Sequence, residues 1–265
     1  MLKQILLIAS VIFGTVLLLM YVFQRHLIYF PDRHVPNLKK FHAQDLHSVA
    51  IRTADNMILH SWYKMARKNE PTLLYLHGNA GHIGYRMPLI RQFINSGIGV
   101  LLLEYRGYGG NRGSPTEQGL YKDAEAGLNY LIQHGIEPKK IVVYGESLGT
   151  GVATKIANKK RFCAVILQSP FTSLENLSRY HYPWLFISPW DKYNSSKRIA
   201  TMNAPLLILH GTKDQIVPYS EGLKLFHAAV QPKKIHTIDD YDHHNLWSSP
   251  NFSKVIIHFI NKYCH

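Results

Sequence analysis

The pentapeptide GESLG, Gly145 to Gly149, follows the apolar run KIVVY and precedes the helix-like stretch LGTGVATKIANKK. A nucleophile on a sharp strand-to-helix turn needs small residues two positions to either side, because the backbone is crowded there. Ser147 then stands exposed with a helix N-terminus behind it, a candidate to attack an acyl carbonyl. Such an attack requires a base for the hydroxyl proton, an acid to orient the base, and N–H donors where the oxyanion develops. The residue after the nucleophile, Leu148, offers one backbone N–H, and the loop in LHGNAGH offers a second from Asn79. In LILHGTKDQIVP, Asp214 follows a late apolar run. Its place at a strand ending, together with its position between the nucleophile and the C-terminal histidines in chain order, prefers it over Asp191, Asp239, Asp240 and Asp242. The base is expected in DHHN, after the last strand, where His243 and His244 both meet the requirement.

These residues need a scaffold that brings distant turns together. Apolar runs at 72–78, 99–107, 140–147, 164–170, 205–211 and 233–239 alternate with stretches such as MPLIRQFINSG, TEQGLYKDAEAGLNYLIQHG and YSEGLKLFHAAV, which carry apolar residues at helical spacing. Continuous apolar strands alternating with helices predict a mostly parallel sheet covered on both faces, an α/β architecture. Before them, DLHSVAIRTADNMILHSWYKM alternates around the polar TADN and reads as a hairpin. Residues 172–204 break the alternation with Tyr180, Tyr182, Trp184, Phe186, Trp190 and Tyr193, and read as a small inserted cap. Its aromatics either pack onto the sheet or line an apolar acyl-binding mouth.

Residues Ile5 to Phe23 form a run of 19 without a charge, enough to span a bilayer as a helix, with Lys3 and Arg25 at its flanks. Its length and the lack of a small-x-small cleavage site favour an uncleaved anchor over a signal peptide. The expected organisation is therefore an anchor over 1–25 and one domain over 26–265. Arg25, Arg33, Lys39 and Lys40 after the span, against Lys3 and the amino terminus before it, bias the main domain toward the cytoplasm.

The net charge of +13 comes from scattered groups such as Lys139-Lys140, Lys159-Lys160-Arg161 and Lys233-Lys234, with no nucleic-acid recognition signature, so a solvated basic surface is expected. GYGGNRG fails the dinucleotide fingerprint and GTGVATK fails that of a phosphate loop. The Asp239–His244 cluster lacks the helical histidine spacing of zinc hydrolases, and neither metal nor cofactor is expected. Cys163 and Cys264 stand far apart and in no motif, and Cys163 reads as a small buried hydrophobe.

Over nearly the whole chain after the apolar run, the sequence resembles the α/β-hydrolases, most of all the membrane-anchored, serine-aminopeptidase-like branch of α/β-hydrolase domain proteins. LIYFP, LHGNAGH, EYRGYGGNRGSPTEQGLYKDAEAGLNYL, YGESLG, QSPFTS, LLILHGTKDQIVP and HN carry the resemblance. It implies a triad of Ser147, Asp214 and a histidine. The catalytic histidine of related chains commonly precedes an Asn, which points to His244 and leaves His243 as a bystander. The resemblance also implies that the YRGYG loop lines the site entrance, with Glu104 where Asp is usual. The expected activity is hydrolysis of carboxylic esters or thioesters through an acyl-enzyme, on lipid-like or other acyl substrates near the membrane. Peptide hydrolysis and a non-catalytic membrane scaffold are the alternatives.

Overall fold

The apolar runs become the strands of one sheet in the computed structural model, which describes residues 1–265 apart from Lys159 and Phe186. Lys159 of the basic triplet and Phe186 of the expected cap therefore lie outside the described residues. In chain order the elements are α1 (Leu2–Val22), α2 (Gln24–Ile28), β1 (Phe30–Pro31), β2 (His47–Arg52), β3 (Ile58–Lys64), β4 (Thr72–Leu76), β5 (Ala80–Gly81) and α3 (Met87–Asn95). They continue as β6 (Gly99–Leu103), α4 (Glu117–Gln133), β7 (Ile141–Glu146), α5 (Leu148–Ala157), β8 (Ala164–Gln168), α6 (Leu174–His181) and α7 (Ser196–Ile199). The chain closes with β9 (Leu206–Gly211), α8 (Tyr219–Ala228), β10 (Lys233–Ile238) and α9 (Phe252–Cys264).

Eight strands form the main sheet in the order β10-β9-β8-β7-β4-β6-β3-β2. The strands from β10 to β6 pair in parallel, while β3 pairs antiparallel with both β6 and β2. The β2–β3 hairpin turns through Thr53–Asn56, where Asn56 takes φ 62°. Strands β4, β6, β7, β8 and β9 are buried at every residue but Glu146, because both faces are covered. Successive side chains of β4 accordingly serve two cores. Leu74 and Leu76 belong to the core that also holds Leu128 of α4, Val152 of α5 and Leu225 of α8, while Leu73 and Tyr75 belong to the one that holds Phe93 of α3 and Ile256 of α9.

The cysteines depart from the sequence reading, and the segment 172–204 divides its aromatics between core and surface. Cys163, at the start of β8, and Cys264, at the end of α9, form a disulfide across 101 residues rather than standing as separate thiols. The return of α9 along the sheet brings two positions with no shared motif to a Cα–Cα distance of 5.0 Å. In the segment 172–204 the aromatics differ in burial. Tyr193 is fully buried, whereas Tyr180, Tyr182, Trp184 and Trp190 are exposed, so among the described aromatics only Tyr193 packs into the core.

Helix α1 is 21 residues of high hydropathy with no buried residue, long and apolar enough to cross a membrane. The short segment after it is tightly attached to the rest of the chain. The Gln24 side chain accepts from the Trp190 N–H, Arg25 pairs with Asp191 at 3.0 Å, and the Tyr29 hydroxyl donates to Asp191. Beyond α2, β1 pairs in parallel with β5, so Phe30 lies opposite Ala80 and Pro31 opposite Gly81.

Candidate active site

Ser147 sits between the end of β7 and the start of α5 with φ 49° and ψ −115°, a conformation costly for a side chain bearing a Cβ. The two flanking glycines make the turn sterically possible. A Cβ on Gly145 would lie 2.6 Å from the Gly149 carbonyl oxygen, and one on Gly149 would lie 2.0 Å from that of Leu76. The backbone N–H of Ser147 donates to Gln168 of the neighbouring strand β8, which pins the turn to the sheet. The serine is thus held out at the carboxyl ends of the parallel strands, where the loops after β4, β9 and β10 also emerge.

The loop after β9 delivers Asp214. Its Oδ1 accepts from the backbone N–H groups of Ile216 (3.0 Å) and Val217 (2.8 Å), leaving Oδ2 free to meet a histidine. Burial alone would raise this carboxyl. Contacts with His210 and His243 and the Val217 N–H outweigh that and hold it well below the usual carboxylate range. The acid therefore stays ionised and can orient an imidazole.

That imidazole belongs to His243, which corrects the assignment to His244. His243 Nδ1 lies 2.7 Å from Asp214 Oδ2, and its Nε2 lies 2.9 Å from Ser147 Oγ. Donation from Nδ1–H to the carboxylate leaves Nε2 as the acceptor for the serine proton. His244 is exposed beside it, its ring 5.7 Å from that of His243. The physical reason is a tight turn. Asp242 Oδ1 accepts from the N–H groups of His244 and Asn245, and the Asn245 side chain accepts from the Asp242 N–H. Asn245 thus closes the loop, and the turn it fixes aims His243 inward and His244 outward.

The structure brings Asn79 to the wall of a cavity of about 250 Å³ that also contains Ser147, His243 and His244. The Asn79 backbone N–H donates to no acceptor among the described residues. Its carbonyl accepts from Phe30 N–H and from the Tyr108 hydroxyl, and its side chain donates to the Ile28 carbonyl. Leu148, as the first residue of α5, has an N–H with no partner inside the helix. Leu148 does not line the cavity itself. The YRGYG loop does not line it either; through Tyr108 it supports the Asn79 loop from behind.

Four residues in and under the site escaped the sequence reading. Glu146, the variable second residue of GESLG, receives Arg86 Nε and Nη2 at 3.0 Å each and the Tyr75 hydroxyl at 2.7 Å. Burial works against its ionisation, yet the Arg86 charge and these hydrogen bonds hold its pKa at about 2. Both Glu146 and Arg86 line the cavity, giving it a charged wall beside the serine. His210, the last histidine before Asp214, is fully buried, with Nε2 2.8 Å from the Val217 carbonyl and 3.4 Å from Asp214. Only the motif neighbours LHG and GES marked these positions, and a histidine before a glycine also ends the unrelated strand β4.

Comparison with known proteins gives the family and the fold. Residues 90–263 match the model of the prolyl oligopeptidase family. An uncharacterized protein of Mycobacterium tuberculosis is 37% identical over 90% of this chain and 86% of its own length. Protein bem46 of Schizosaccharomyces pombe is 33% identical over 91% and 87%, respectively. The lysophosphatidylserine lipase ABHD12 of Danio rerio is 33% identical over 75% of this chain, which spans 60% of that longer relative. Among solved structures, an esterase of Pyrococcus furiosus superposes with a TM-score of 0.73 at 21% identity, covering 90% of this chain and 99% of that one. The chain belongs to the prolyl oligopeptidase family and has the α/β-hydrolase fold.

Proposed function

We propose that the chain is a single-pass membrane serine hydrolase that cleaves carboxylic ester or thioester bonds of lipid-like acyl substrates. The observation that carries this reading is the unbroken line Asp214–His243–Ser147, at 2.7 and 2.9 Å, ending on the strained elbow serine. In the proposed reaction Ser147 Oγ attacks the acyl carbonyl as its proton passes to His243 Nε2, with Asp214 stabilising the imidazolium. The N–H groups of Asn79 and Leu148 receive the oxyanion. The imidazolium then protonates the departing alcohol or thiol, leaving the acyl group on Ser147. Water, deprotonated by His243, attacks that ester; the acid leaves and Ser147 regains its proton. No cofactor enters these steps.

Lipid-like substrates are favoured by relatives named as lysophosphatidylserine lipases and by the apolar helix α1 next to the catalytic domain. In this reading residues 1–25 form the anchor, 26–265 the hydrolase domain and 172–204 its cap. The Cys163–Cys264 pair favours a hydrolase domain on the oxidising side of the membrane, against the basic count around the span. Peptide hydrolysis is the second reading, favoured by the family model. A fluorophosphonate probe tests the nucleophile: the folded wild-type chain is expected to be labelled and Ser147→Ala not. Absence of a Ser147-dependent adduct would overturn the enzyme reading. Turnover of aminoacyl amides without turnover of esters would select the peptidase.

A further inference from the structure

A large apolar recess lies apart from the cavity at Ser147. It is a groove of about 470 Å³ between the end of the apolar helix and the cap. Met20, Leu27 and Phe30 form one wall; Leu177, Tyr182 and Leu185 form the other. Leu27 and Phe30 are both more than half exposed, an unusual state for large apolar side chains beside a recess. Met20 lies in the last turn of α1, so the groove begins where a helix of about 31 Å would leave the hydrocarbon core.

The surroundings match that depth. Tyr21 meets Trp190 edge to face at 5.2 Å, and the Arg25 guanidinium lies 5.3 Å above the Trp190 ring. Trp184, Tyr180 and Tyr182 are exposed on the same cap segment. Aromatic and basic side chains of this kind gather at the headgroup level of a bilayer. A membrane-spanning α1 would set the mouth of the groove at the lipid surface, facing a supply of acyl chains.

Both walls are bonded to the catalytic loops. On one side Phe30 N–H donates to the Asn79 carbonyl at 2.9 Å, and the Asn79 side chain donates to Ile28 at 2.9 Å. Phe30 lines the groove while its strand partner Ala80 lines the cavity at Ser147, so the β1–β5 pair separates the two. On the other side His181 Nε2 donates to the Ile216 carbonyl at 2.9 Å, and Ile216 N–H in turn donates to Asp214. The groove therefore lies between the loop carrying the oxyanion donor and the loop carrying the acid.

We propose that this groove, built jointly by the membrane helix and the cap, holds the acyl chain of a bilayer lipid whose ester carbonyl is attacked by Ser147. The proposal deepens the hydrolase reading above and rests on it. In this proposal the chain leaves its leaflet beside Met20 and lies along Leu27 and Leu177, and its carbonyl end crosses over the β1–β5 pair that divides groove from cavity. Burial of the chain then makes turnover depend on acyl length, since each buried methylene adds favourable transfer free energy.

The test uses the full chain in detergent micelles with p-nitrophenyl esters from the butanoyl to the hexadecanoyl series. Wild type is expected to favour long chains in kcat/KM. Leu177→Trp, which fills the groove, is expected to lower the ratio of long-chain to short-chain kcat/KM roughly tenfold or more. Leu27→Trp on the opposite wall, at an exposed position that tolerates bulk, is expected to lower the same ratio and guards against misfolding of the first variant. A wild-type chain that hydrolyses no ester sinks the ester-hydrolase reading on which the groove rests. Hydrolysis whose length profile is the same in wild type and both variants sinks the groove and leaves the hydrolase standing.

Discussion

A two-residue choice decides the chemistry of the site. His243 and His244 are chemically identical and adjacent, yet only His243 reaches both Asp214 and Ser147. His243→Ala is expected to lower kcat by about six orders of magnitude, as loss of a triad base does. His244→Ala, at the cavity rim, should stay within about tenfold of wild type; steady-state kinetics on the two purified variants settles the order. The serine was legible in the sequence because its elbow requires Gly145 and Gly149 in fixed places. The histidine was legible only to within one position, because the Asp242–Asn245 turn sets which ring faces inward. Asn245 was a true signal of that turn, but the turn presents the histidine two residues earlier.

Glu146 yields a prediction at the same scale. Its pKa falls from an ordinary 4.5 to about 2, because the Arg86 charge and hydrogen bonds overcome the penalty of burial. A depressed carboxylate binds fewer protons in the folded state, so it contributes stability above the unfolded value. That contribution is lost as pH falls from about 4.5 toward 2. Glu146→Gln is expected to cost about 3 kcal/mol near pH 7, since it leaves Arg86 without its counter-charge. The gap to wild type should narrow at pH 3, as read by thermal melts at both pH values. An equal gap at the two would show that the pair's charge is not what stabilises the fold.

At the scale of elements, β1 is only two residues long, yet it joins the segment after the apolar helix to the candidate oxyanion loop. Its partner β5 has no interior of its own and is held by that pairing, by Tyr108 and by the Asn79 side chain. The longer strands could be read from the sequence because each buries a continuous apolar run. LIYFP and NAG are too short for periodicity, and their pairing spans the intervening hairpin, so only the folded chain reveals it. Asn79→Ala removes the bond to the Ile28 carbonyl but keeps the backbone N–H proposed for the oxyanion. One neutral hydrogen bond is worth about 1 kcal/mol, so kcat should fall roughly fivefold. Loss of an oxyanion donor itself costs about a hundredfold or more. A fall of that larger size would show that the side-chain tie governs the donor's placement.

The whole molecule is closed by a contact that the sequence concealed. Cys163 and Cys264 are separated by 101 residues, and only the docking of α9 against the sheet brings them together. A cross-link over such a loop restricts the unfolded chain, so replacing both cysteines with serine is expected to cost about 2–5 kcal/mol. The pairing also bears on which side of a membrane the proposed hydrolase domain lies. Reducing cytosol keeps thiols apart, whereas an oxidising compartment preserves a buried disulfide. Arg25, Arg33, Lys39 and Lys40 after the span favour the opposite placement, but Arg25 is also engaged by Asp191 and Trp190, a structural use independent of topology. In membranes prepared with immediate alkylation, a polyethylene glycol maleimide applied under denaturing conditions should shift the chain only after a reductant has been added. No shift even after reductant, because the first alkylation had already blocked both thiols, or a shift before any reductant, because the thiols were free but buried, would place the hydrolase domain on the reducing side and restore the charge count as the better guide.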